Sequence, residues 1–163
     1  MVDAKKLRGQ DLNNISELMA DRAANSGVLG AAVIGIYRII RDQENLLVAV
    51  TGLASGEHAS KLTRIPEPDN PKRGKEDKGT DYLALAHAKK SKRLRQEIGE
   101  DVGEPSVRRG EDPATGDEVL WLAKDIIAIT AFSGAPDMEQ DRQVAEYGIA
   151  LLLRYTIGPE DFE

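Results

Sequence analysis

Two apolar runs, VLGAAVIGIYRII (28–40) and LLVAVTGLA (46–54), stand either side of five polar residues, RDQEN. β-Branched runs with so short a polar gap predict a β-hairpin. Both runs are too apolar to face water on two sides, so other elements must cover them. Gly30 and Gly35 inside the first run predict a bulge or the close approach of a helix.

The elements that could cover this hairpin are legible in part. Residues 11–26 place Leu12, Ile15, Leu18, Met19, Arg22 and Ala23 on one face at helical spacing, with Asp11 as the cap and Gly27 as the stop. Residues 81–98 predict a second helix. In it Leu83, Ala84, His87, Ala88, Ser91, Leu94 and Ile98 share the inner side, and Lys89, Lys92, Arg93 and Gln96 fall on the other. EVLWLA and DIIAITAF predict two further strands turning at Lys124-Asp125, after a turn-rich stretch from 101 to 119. A last helix is expected over 137–155, its inner face built from Asp141, Val144, Ala145, Gly148, Leu151, Leu152 and Tyr155. Strands joined by short turns pair antiparallel. The order is helix, two strands, long loop, helix, short strands, helix. That is an α+β chain with three main helices covering one or both faces of an antiparallel sheet.

At 163 residues the chain is expected to form one domain, 1–163, with a long polar loop at 55–80 and a frayed acidic tail at 156–163. Aromatics are only 4%, so the core must be aliphatic. Without cysteine, disulfides, thiolate metal sites and a cysteine nucleophile are excluded. No stretch approaches the roughly 20 apolar residues of a membrane helix, and the N-terminus lacks the apolar centre of a signal peptide. The expectation is a cytoplasmic protein without a membrane partner. Against a net charge of −6, residues 72–95 gather nine cations and three carboxylates. No aromatics interleave with these cations, so a nucleic-acid stacking surface is not expected.

The segment AFSGAPDMEQDRQVAEYGIALL (131–152) joins a strand to the last helix. Gly134 relaxes the corner and Pro136 suits the first helical position. Asp137, Glu139 and Asp141 suit the positive end of the helix dipole, which explains them without catalysis. In this segment Ser133, Gly134, Pro136, Glu139, Gln140, Asp141, Ala145 and Gly148 resemble the signature of the GlcG/HbpS family, the haem-degrading or haem-binding domain family related to the C-terminal domain of PduO. The resemblance spans about 11–155 and is specific at this motif. Departures are visible: Lys124-Asp125 stands where the family turn contains Asp-Gly, Ala128 where its last strand contains Gly, and the 55–80 loop is longer. In the middle helix Thr80, Ala84 and Ala88 match the family's Ser and Ala-x-x-Lys-Ala pattern, with His87 in place of the usual lysine.

The resemblance implies an antiparallel, roughly five-stranded sheet with flanking helices, similar to profilin-like and roadblock-like domains. It also implies a homo-oligomer and, for some members, haem or iron binding. Only His58 and His87 supply imidazole. On the first reading the chain is a small-ligand-binding domain, with haem or another tetrapyrrole as cofactor. His87 or His58 is then the iron ligand, Lys89 and Lys90 meet the propionates, and Ser133 and Gly134 belong to the ligand site. The second reading is an enzyme or enzyme accessory for a small carboxylated or aromatic metabolite, with His87 as acid or base and Lys89 or Lys90 attracting the anion. The third is a structural oligomerisation domain. The residues identify no catalytic set: Gly-x-Ser-x-Gly, Walker, Rossmann and His-Glu-x-x-His patterns are absent. The pairs Glu57–His58 and Glu139–Asp141 fix no full metal-ligand set.

Overall fold

The computed structural model describes residues 5–60, 81–99 and 116–156. Its elements, in chain order, are β1 (Lys5–Lys6), α1 (Gly9–Asn25), β2 (Ala31–Arg41), β3 (Leu47–Ala59), α2 (Tyr82–Glu97), β4 (Asp117–Ala123), β5 (Ile126–Ser133), α3 (Met138–Leu152) and β6 (Tyr155–Thr156). Four strands form one antiparallel sheet in the order β3-β2-β5-β4. β1 and β6 make a separate two-residue parallel ladder, Lys5 opposite Tyr155. Of the expected 55–80 loop, residues 61–80, Thr80 among them, lie outside the described residues, as do 101–115 of the 101–119 turn region and 157–163 of the 156–163 tail.

Helices cover both faces of the sheet. Alternation along β2 and β5 decides which residues meet which helix. Ala32, Ile34, Ile36, Ile126, Ala128 and Phe132 face α1 and α3, where they meet Leu12, Ile15, Met19, Val144, Leu151 and Leu152. Ala31, Val33 and Ala131 face α2 and meet Ala86. Further along the same face Ile39, Ile127 and Ile129 meet Ile98 and Leu94. The interior is aliphatic around one buried Phe132.

Several sequence expectations are corrected at the element ends. Asp11 is the third residue of α1, not its cap, and its carboxylate accepts the Arg8 backbone N–H at 2.7 Å. Leu18 and Arg22 are exposed, although the Arg22 guanidinium lies 4.4 Å from the Tyr147 ring centre on α3. The helix α3 ends at Leu152, and Tyr155 passes to the β1–β6 ladder. Asp137 is the α3 cap, accepting the Gln140 N–H at 2.8 Å, so Pro136 stands outside the helix. The register between β2 and β3 shifts at Ile36/Tyr37 and at Ile40/Arg41, where the extra residues, Leu53 and Val48, lie on β3, and the Tyr37 side chain fills the space beside Gly35. The glycine that a helix does approach closely is Gly56, where a Cβ would strike the backbone of Leu12.

The largest correction concerns α2. Its inward line is Ala86, Lys89 and Lys90, flanked by Tyr82 and Arg93, while Ala84, Ala88 and Ser91 are exposed. Leu83, Leu94 and Ile98 of the expected inner face do pack toward the sheet, whereas Ala84, Ala88 and Ser91 turn out, and Lys89 and Lys92, expected outside, are buried. The sheet beneath presents Ala31, Val33 and Ala131, so Ala86 is small enough for a close approach. Around it, the polar groups of β4, β5 and α3 call for cations.

Candidate functional site

Two neighbourhoods meet around α2. At the first, β3 runs on to Ala59, so Glu57 and His58 are strand residues and not members of a loop. Adjacent strand residues face opposite ways. Glu57 lies opposite Val33, on the α2 side, and His58 opposite Ala32, on the α1 side. The strand thus separates His58 from His87. Glu57 Oε2 lies 2.6 Å from His87 Nε2, with side-chain exposures of 53% and 41%. The imidazole is oriented by a carboxylate yet reachable from solvent. Beside them Lys90 is buried, its Nζ 5.8 Å from the Tyr37 ring centre. Burial pulls the Lys90 ammonium below the usual lysine range, and the Glu57 charge opposes that pull. Burial also pushes the Tyr37 hydroxyl up.

The second neighbourhood lies where β5 passes to α3. Lys89 turns inward, and its Nζ donates to the Phe132 carbonyl and to Asp141 Oδ2, both at 2.9 Å. The two side chains are only 7% and 8% exposed. Asp141 Oδ1 accepts the Ala135 backbone N–H at 2.9 Å. Burial raises the Asp141 carboxyl above its ordinary range, while Lys89 and the Ala135 N–H pull it back. Sequence reasoning placed Asp141 among the dipole-favoured carboxylates of α3 and Lys89 at a ligand, whereas the fold joins the two.

Next to this pair Arg93 Nη1 lies 3.2 Å from Asp117 Oδ2, and its Nε donates to Glu97 at 3.0 Å. Asp117 is almost fully enclosed, and burial raises its carboxyl to about 6 despite Arg93. Asp117 had no signal in the sequence beyond a turn.

Ser133 and Gly134 border a cleft of about 320 Å³ with Val28, Leu29, Tyr82 and Met138. Gly134 has φ of +140° and packs against the Leu29 carbonyl, so it suits no other residue. Of the six expected site residues, Ser133 and Gly134 line this cleft. Lys89 braces it from below through Asp141. His87 and Lys90 belong to the Glu57 neighbourhood, and His58 stands on the opposite face. Glu139 is exposed and paired with Arg142, apart from the buried Asp141. Among the described residues no group of three or more His, Asp or Glu side chains gathers as a metal-ligand set. Among them, too, no helix is long and apolar enough to cross a membrane.

The architecture is an α+β sandwich, a four-stranded antiparallel sheet between α2 and the α1–α3 pair. No protein-family model matches the chain, and no curated protein does. Among solved structures the chain is similar to PduOC in its heme complex, at 18% identity and a TM-score of 0.46, covering 90% of this chain and 94% of that one. It is also similar to HbpS, at 13% identity and a TM-score of 0.38, covering 93% and 94%. A third is a double mutant of HbpS from Streptomyces reticuli, at 15% identity and a TM-score of 0.38, covering 93% and 90%.

Proposed function

We infer that the chain is a small-ligand-binding domain of the GlcG/HbpS-like kind, with haem or another tetrapyrrole as its ligand. The observation that carries this reading is the His87–Glu57 pair. Metal-ligating histidines usually give their other ring nitrogen to a carboxylate, which fixes the ring and strengthens the ligating nitrogen. Glu57 stands in that relation to His87, and the ring remains accessible. Iron would be held by the nitrogen that Glu57 leaves available. Bound haem would supply its iron and its flat apolar ring, while this chain's part is to orient His87 and keep a cation, Lys90, alongside. The experiment is a haemin titration followed by absorbance, on the native chain and on His87→Ala, His58→Ala and Glu57→Gln. A saturable Soret band near one haem per subunit is expected, lost in His87→Ala, weakened in Glu57→Gln and kept in His58→Ala. An unsaturable response unchanged by every substitution would sink the reading.

The cleft volume favours a second reading. About 320 Å³ is at the low end of the roughly 300–1,000 Å³ typical of ligand pockets. On this reading a small carboxylated or aromatic metabolite sits against Ser133, Leu29 and Tyr82. A thermal-shift screen of organic acids, repeated on Ser133→Ala, separates the two readings, because this binding would be independent of haemin and of His87.

A further inference from the structure

The sheet has two edges, and they are guarded differently. β4 is short and carries Asp117, Glu118 and, at its turn, Lys124. β3 runs for 13 residues, and from Leu46 to Gly56 there is no charged residue at all. Native edge strands normally carry charges, prolines, bulges or short lengths that discourage pairing with another chain, and of these devices β3 has only the bulged positions Val48 and Leu53. The exposed edge here instead holds Leu46 and Val48, 58% and 61% exposed, with Leu47 and Val50 beside them. Among the described residues no strand pairs with the outer side of β3, where only the Glu57 N–H, near its end, donates to Asn13 Oδ1 at 3.3 Å.

We propose that β3 is an interface for a second copy of this chain, paired antiparallel about a two-fold axis at Thr51. A two-fold contact must be self-complementary, and this strand is. About Thr51, Leu46 falls opposite Gly56, Leu47 opposite Ser55, Val48 opposite Ala54, Leu53 opposite Ala49 and Val50 opposite Gly52. Each large side chain meets a small one, in all five pairings. In the same register the nearest charge, Glu57, falls opposite the uncharged Asn45, and one step further out Glu44 falls opposite His58. The charge balance agrees. Two chains of net −6 repel each other, and this uncharged run is a place where they can approach without bringing like charges together. Pairing also satisfies outward N–H and C=O groups of β3 between Leu47 and Ser55 and buries its leucines and valines.

The test uses the whole chain and light scattering. The native protein is expected to have at least twice the 17.8 kDa of one chain. Thr51→Lys sets lysine against lysine on the axis and should halve the assembly mass while leaving the far-UV spectrum unchanged. The chain has no cysteine, so Thr51→Cys gives an independent readout. Directly opposed antiparallel residues have Cα atoms about 4.5–5.5 Å apart, within disulfide reach. Thr51→Cys should therefore crosslink to its own copy on oxidation, and Val48→Cys should not. A native protein that is monomeric at its highest soluble concentration would overturn the proposal. So would an assembly mass unmoved by Thr51→Lys, or crosslinking through Val48→Cys and not through Thr51→Cys.

Discussion

Removing one partner of the Lys89–Asp141 pair should be among the most damaging single changes available to this chain. The two side chains are 7% and 8% exposed and 2.9 Å apart. In Asp141→Ala the Lys89 ammonium keeps only the Phe132 carbonyl, and the Ala135 N–H loses its acceptor. Breaking a buried ion pair from one side typically costs about 3–5 kcal/mol, because the surviving charge stays buried without its counter-ion. For a chain of this size that corresponds to a fall of roughly 8–16 °C in Tm. Asp141→Asn keeps an oxygen for Ala135 and should cost less than Asp141→Ala. Lys89→Met should cost about as much as Asp141→Ala, and the double variant Lys89→Met/Asp141→Leu much less than the two single costs together, since it leaves no orphaned charge. Urea unfolding of the four proteins measures the cycle. A cost below about 1 kcal/mol for Asp141→Ala, or strict additivity in the double variant, would refute the argument.

Three further outcomes follow from the packing and the charges. Asp117 has a folded pKa of about 6, above its ordinary value, so between about pH 4 and 6 the folded state binds the proton more tightly than the unfolded chain. Its contribution is therefore lost as pH rises through that window. Urea midpoints should fall more between pH 4.5 and 7 in the native chain than in Asp117→Asn, with Asp141 adding a slope of the same sign to both; equal slopes would contradict this. Gly56→Ala would drive a methyl into the Leu12 backbone and should cost at least about 2 kcal/mol by thermal unfolding. Gly148→Ala instead meets the Sδ of the buried Met19 side chain at 2.5 Å, a side chain with more freedom to shift than backbone, and alanine's helix propensity offsets about 1 kcal/mol. It should cost less than Gly56→Ala, and a larger loss than in Gly56→Ala would reverse the packing argument.

The strands and α3 were legible because their signals are local. The runs 28–40 and 46–54 pair as expected, the turn falls at Lys124-Asp125, and Asp141, Val144, Ala145, Gly148, Leu151 and Leu152 are all buried. Continuous apolar runs and a 3.6-residue period need no knowledge of what they will touch. The same period misled at α2. Ala84, Ala88 and Ser91, which that period places inside, face out, because the partners that draw Lys89 and Arg93 inward lie 52 and 24 residues away, at Asp141 and Asp117. A long lysine stem can lie in the core when a carboxylate waits at its end, and periodicity carries no record of that carboxylate. The candidate site divides in the same way. Ser133 and Gly134 could be picked out from their motif. The His87–Glu57 pair and the separation of His58 from it depend on strand alternation and on where α2 crosses the sheet. The residue types alone determined which groups were available for chemistry, and limited imidazole to two positions. Which of those groups meet was decided by the tertiary structure, because burial makes an ion pair's partner obligatory only once the chain has brought distant segments together.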